Sequence, residues 1–145
     1  MAESAALKTD ALGELEEGDV GEEVDEPELP AASVLGSFRL KAEISALEGG
    51  PFKEQYPNDG RALPKNFWLR FSIISTSVPQ PYSIRWTVTN HGQEAILAHD
   101  VSHTKDPGGA TQRERTRYRG RHTMTCELYR DGRVLARAHH RVNIR

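Results

Sequence analysis

Apolar residues at every second position, in several separate runs, leave this chain little choice of fold. In SFRLKAEISAL, Phe38, Leu40, Ala42 and Ile44 fall on one side of an extended chain. In FWLRFSII, Phe67, Leu69, Phe71 and Ile73 face one way, with Trp68, Arg70 and Ser72 opposite. Tyr82, Ile84, Trp86 and Val88 repeat the pattern against Ser83, Arg85, Thr87 and Thr89. The last run, Val134 to Ile144, aligns Val134, Ala136, Ala138, His140, Val142 and Ile144. A helix would need apolar residues every three or four positions. A period of two gives a strand with one buried face, the pattern of antiparallel sheets.

Turn chemistry separates the runs. YPNDGRALP (Tyr56 to Pro64) and SVPQPY read as turn-rich loops, NHG closes the Trp86 strand, and KDPGG reads as a flexible loop. Asp131-Gly132 lies between two strand patterns and predicts a two-residue hairpin turn, because both positions tolerate positive φ. No helix of ordinary length is expected. About seven short strands predict an all-β fold, an antiparallel two-sheet sandwich of Ig-like character. Trp86 then belongs to the core, beside Leu69, Phe71, Met124 or Cys126. Burying such a ring is worth about 3–5 kcal/mol against alanine.

Charge divides the chain. Residues 1–35 hold 11 acidic residues and one basic residue, Lys8, for −10; residues 36–145 hold 18 basic and 10 acidic residues, for +8. ELEEGDVGEEVDEPELP (Glu14 to Pro30) has too little apolar content to offset the entropy of ordering. The expected organisation is a disordered acidic tail over 1–35 and a β-sandwich over 36–145. The tail solubilises the protein, or shields the basic domain and competes with its ligand. A single cysteine, Cys126, excludes an internal disulfide. With no apolar leader and no long apolar run, the sequence reads as cytoplasmic, with no membrane partner.

Catalytic chemistry has no support in the sequence. It contains no phosphate-binding glycine loop, zinc spacing, nucleophile elbow or carboxylate pair in an apolar setting. The expectation is a non-enzyme with no metal and no cofactor. Cys126 alternates with Met124 and Leu128 and reads as an inert buried thiol. His139 and His140 would point to opposite faces of a strand and cannot grip one metal.

One local pattern does suggest a ligand. In TQRERTRYRGRH, arginines recur at 113, 115, 117, 119 and 121. On one continuous strand they would share a face at spacings of about 6–7 Å, close to that of phosphates along an extended nucleotide chain. Arginine binds phosphate through a bidentate fork. The plain alternative is a solvated strand face broken at Gly120. The absence of a helix for the major groove and of a stacking ladder argues against a duplex nucleic-acid reader, and makes single-stranded binding a weak third option.

YPNDGRALPKNFWLRF, PYSIRWTVTNHGQEA, ERTRYRGRHTMTCEL and DGRVLARAHHRVNI, in that order, resemble the adenylyl/guanylyl and SMODS C-terminal sensor domain over about Phe52 to Ile144. The matched positions are Trp86, Val88, Asn90, Gly92, Glu94, Ala95, Glu114, Thr116, Tyr118, Gly120, His122, Val142 and Ile144. The chain departs from the family pattern at Thr123, where an aromatic is common, and at ILAHDVSH, where a basic residue often follows Glu-Ala.

The resemblance implies an all-β module of bacterial nucleotidyltransferases that make oligonucleotide second messengers, or of effectors in antiphage systems. It implies a sensor of a nucleotide-derived anionic ligand, with a nucleotidyltransferase or effector as partner. The alternative is an Ig-like module that docks such a protein. The candidate ligand contacts are Asn90, Glu94, Arg113, Arg115, Arg117, Tyr118, Arg119 and His122. Each also has a structural reading. Asn90 and Gly92 can make a turn, Glu94 can pair with an arginine, and Tyr118 and His122 can bond neighbouring backbone.

Overall fold

The computed structural model describes residues 36–145, and the expectations for residues 1–35 fall outside the described residues. Eight strands run in chain order: β1 (Arg39–Ser45), β2 (Glu54–Gln55), β3 (Trp68–Ile74), β4 (Ser83–Thr89), β5 (Ser102–Lys105), β6 (Thr111–Arg115), β7 (Gly120–Arg130) and β8 (Arg133–Ile144). One five-residue helix, α1 (Gln93–Leu97), sits between β4 and β5. The strands form two antiparallel four-stranded sheets, ordered β2-β1-β3-β6 and β5-β4-β7-β8. This is the expected Ig-like sandwich, with one strand more than expected.

Alternation decides which faces meet. Phe38, Ala42 and Ile44 from β1 and its lead-in, with Leu69 and Phe71 from β3, form the inner face of the first sheet. Trp86 from β4, Met124, Cys126 and Leu128 from β7, and Ala136, Val142 and Ile144 from β8 form that of the second. Trp86 is 1% exposed and pairs across the ladder with Cys126. Its indole Nε1 donates to the Gly109 carbonyl at 2.8 Å, and Gly108 N–H donates to the Ile84 carbonyl at 2.7 Å. A Cβ on Gly108 would lie 2.4 Å from the indole, so only glycine lets this backbone cover the ring. The KDPGG segment, expected to be a flexible loop, is therefore a bonded cover over the central core residue.

Two further departures have local causes. The β7–β8 ladder shifts register between Leu128 and Tyr129, where Leu128 faces Ala136 and Tyr129 faces Val134. The extra residue, Leu135, is 3% exposed and joins the core beside Ala136, which strict alternation would forbid. The Tyr56–Pro64 loop is a loop as expected, but it also supplies core. Tyr56 and Leu63 are buried, and Leu63 bridges in parallel to Ile144. Loop and strand β8 are laced together by Leu63 N–H to the Asn143 carbonyl (2.8 Å), Asn143 N–H to the Tyr56 hydroxyl (3.0 Å) and Asp59 N–H to the Arg141 carbonyl (2.9 Å). At the hairpin, Asp131 and Gly132 have φ of 53° and 74°, as the Asp-Gly signal requires.

Candidate ligand site

The arginine row does not survive folding. Strand β6 ends at Arg115 in the first sheet and β7 begins at Gly120 in the second. Residues 116–119 carry the chain across, so the five arginines share no face. Arg113 lies on the outer side of β6 with its guanidinium 5.7 Å from the Phe52 ring centroid. Arg115 donates to the Asn66 side-chain carbonyl at 2.7 Å. Arg117 and Arg119 are exposed on the crossing segment, and Arg121 starts along β7, 3.5 Å from Asp59. A shared face would require one unbroken strand. The break falls before Gly120, whose φ of 141° turns the backbone into β7.

Thr116 anchors the crossing. It is 1% exposed; its hydroxyl accepts from Phe67 N–H and donates to the Pro64 carbonyl, both at 2.8 Å. Gly120 packs against the turn after β4, where an added Cβ would lie 2.1 Å from the His91 carbonyl oxygen. Gly92, at φ 111°, would place a Cβ 2.7 Å from the Arg119 carbonyl oxygen. Both glycines are required by close backbone approach between the β4 exit and the crossing segment.

The polar residues matched by the resemblance converge here, mostly on one another. Asn90 is buried and its amide donates to the Asp100 carbonyl at 2.8 Å. His122 is buried; its Nδ1 accepts from His91 N–H (3.2 Å), so Nε2 carries the proton and donates to the Tyr118 carbonyl at 2.7 Å. Burial pushes the His122 pKa down, which favours that neutral tautomer. Glu94 does not pair with an arginine side chain. It accepts from Arg119 N–H at 2.9 Å and from Lys65 Nζ at 2.7 Å, and these bonds, led by Lys65, hold its carboxyl below the usual range. Tyr118 bonds a carboxylate rather than backbone, donating to Asp100 Oδ2 at 2.9 Å.

Sequence reasoning missed Asp100 and His103. His103 Nδ1 lies 3.0 Å from Asp100 Oδ1, and its Nε2 lies 3.0 Å from Glu114 Oε1. The bond to Glu114, despite opposing desolvation, and then the bond to Asp100 raise the His103 pKa from 6.5 to about 9. Imidazolium therefore links β5 of one sheet to β6 of the other. The only sequence signal was position: both residues sit in ILAHDVSH, the stretch that departs from the family pattern.

A crevice of about 50 Å³ opens at this seam, lined by Asn90, Asp100, His103, Glu114, Arg115, Thr116, Arg117, Tyr118 and His122 above Leu69, Phe71 and Met124. That volume is far below the roughly 300–1,000 Å³ of pockets that enclose small-molecule ligands. The crevice therefore has room for at most one small group, and anything larger would lie across its mouth. Among the described residues there is no cluster of three or more metal-ligating side chains, and no helix long and apolar enough to cross a membrane. Residues 21–145 match the family described as adenylyl/guanylyl and SMODS C-terminal sensor domain. A search of curated proteins gives no match.

Proposed function

The chain belongs to this sensor-domain family, and from that premise we propose that it is a non-catalytic module recognising a nucleotide-derived second messenger at the seam between its sheets. The reading places it in the cytoplasm, in a bacterial antiphage system, beside a nucleotidyltransferase or effector. One observation carries it. The carboxylates at the seam are engaged: Asp100 and Glu114 by His103, and Glu94 by Lys65 and Arg119 N–H. Arg117 and Arg119, two residues apart, have no carboxylate in ion-pair contact among the described residues. Arg117 and Arg119 act on Asp100 and Glu94 only at longer range. Set against Glu94, Asp100 and Glu114, the charges of Lys65, protonated His103, Arg117 and Arg119 leave the seam with a net positive charge, which favours an anion, and arginine forks fit phosphate. Asn90, Glu94, Tyr118 and His122 then support the crossing segment, while Arg113 and Arg115 flank it.

The test is calorimetric titration of cyclic di- and trinucleotides, with a short single-stranded oligonucleotide as control. Binding of a cyclic nucleotide, weakened about tenfold or more by Arg117→Glu/Arg119→Glu, is the expected result. Absence of binding, or equal binding by the variant, would sink this reading.

A second reading is a protein-docking module. It rests on Ile96, Leu97 and Val101, which are 54%, 69% and 49% exposed beside the same seam. Co-purification with a nucleotidyltransferase that is lost on Leu97→Asp, without nucleotide binding, would favour it.

A further inference from the structure

The seam occupies the side of the sandwich where β5 and β6 meet. On the other side, where β1 faces β8, the sheets leave an open groove. Strand β2 pairs only with Glu43 and Ile44, so it covers one end of β1. The Ala42 carbonyl accepts from Tyr56 N–H at 2.7 Å on this outer edge. Backbone groups alternate in direction along a strand, so Leu40, two residues earlier, presents its N–H and C=O to the same edge. Among the described residues no strand reaches Leu40 there.

The groove along this edge has a volume of about 600 Å³. Phe38, Leu40, Ala42 and Ala138 give it an apolar strip beside the polar Gln55, Asn58 and His139, Arg39 and Lys41 stand on β1, and among the described residues no aspartate or glutamate lines it. Arg39 bonds only the neutral Ser75 hydroxyl, at 3.0 Å. Lys41 lies 3.9 Å from Glu43, a carboxylate that Arg70 already holds at 2.9 Å. His140, 5% exposed, also lines the groove. Its Nε2 donates to the Tyr56 carbonyl at 2.9 Å, which leaves Nδ1 an acceptor with no partner among the described residues. A buried acceptor without a donor is uncommon unless something else supplies one.

We propose that this groove receives an extended acidic peptide strand from a partner protein, added to the outer edge of β1. An uncovered edge is a ready template for main-chain pairing, and strand addition uses it for affinity while alternate side chains give specificity. The stereochemistry sets the peptide pattern. Side chains pointing into the sandwich meet Leu40 and Ala138, the half-buried apolar residues of the lining. Those pointing outward run beside Arg39 and Lys41, which lie on the outer face of β1, and there carboxylates fit. A nucleic acid fits less well: the edge asks for amide partners, and the rings nearby, Phe38 and Tyr56, are buried and offer no stacking face.

The probe is a fluorescein-labelled peptide of about eight residues, alternating glutamate and valine, titrated by anisotropy against the full chain. Saturable binding is expected, with amide exchange at Leu40 slowed in the complex. Arg39→Glu/Lys41→Glu, both solvent-side changes checked by thermal melt, should weaken binding about tenfold. N-methylating every second peptide amide on the edge facing β1 should also weaken it about tenfold, with no change to the protein. Equal affinity for the N-methylated peptide would overturn strand addition, as would failure to bind. Tighter binding of a single-stranded oligonucleotide of equal charge, lost in the same double variant, would overturn it in favour of nucleic acid. Self-association abolished by that variant would overturn it in favour of a second copy of the chain.

Discussion

His103 holds a proton between two carboxylates, Asp100 from the loop before β5 and Glu114 from β6 of the other sheet, and removing that charge should alter stability in a pH-dependent way. The perturbation is His103→Gln, which keeps hydrogen-bonding capacity and a similar size but stays neutral. In the folded protein the His103 pKa rises from 6.5 to about 9. A raised pKa means the stabilisation is fully present below the unfolded value, about 6.5, and is lost as pH rises through about 9. Taken at face value the shift corresponds to about 3 kcal/mol. The side chain is 44% exposed, however, so solvent screening reduces the expected contribution to about 1 kcal/mol. That corresponds to about 4 °C in melting temperature for a domain of this size.

Urea melts of both proteins from about pH 5.5 to about pH 10 would give a difference curve. His122 and His140 are each shifted down, chiefly by burial, so they weaken the fold as pH falls below about 6.5. They are present in both proteins and cancel in the difference. The expected curve is about 1 kcal/mol in favour of histidine at the acid end, declining towards zero above about pH 9. A flat difference, or one that grows with pH, would refute the ion-pair account.

Trp86→Ala should cost about 4 kcal/mol, because it empties the core and leaves the Gly109 carbonyl without its donor; a thermal melt shifted by only a degree or two would show that the indole is not a packed element. Gly120→Ala should destabilise by about 2 kcal/mol or more, since the new methyl meets the His91 carbonyl at a φ of 141°. A wild-type unfolding midpoint for that variant would mean that the β4 exit and the crossing segment do not approach as closely as described.

The strands were legible because their signal is local. Alternation alone placed Phe38 to Ile44, Leu69 to Ile73 and Ile84 to Val88, and identified Trp86 as core. It failed where geometry depends on something outside the run. Leu135 is buried because of a bulge in the ladder with β7, and no period of two contains a bulge. The five arginines were periodic in sequence, yet the chain changes sheets among them, and a switch of sheet leaves the spacing of residues untouched. Asp100 and His103 lie in a short polar stretch with no repeat, and their importance comes from Glu114 and Tyr118 arriving from β6 and the crossing. Asn90, Glu94, Tyr118 and His122, offered by the resemblance as ligand contacts, lie in one neighbourhood, and the bonds their polar atoms make there follow the structural alternative in kind but not in partner: Glu94 meets Lys65 and a backbone N–H, and Tyr118 meets Asp100.

The lacing of the Tyr56–Leu63 loop to β8 fixes an order of events during synthesis. Chains emerge from the ribosome N-terminal end first, and a domain folds once the residues it needs are available. Tyr56 and Leu63 are made well before their partners on β8, Asn143 following Tyr56 by 87 residues. The first sheet can assemble its β1–β3 and β3–β6 ladders before then, with Tyr56 and Leu63 still bare. Until β8 is in place, Tyr56 and Leu63 lack the strand that buries them, so the first sheet cannot complete its own core.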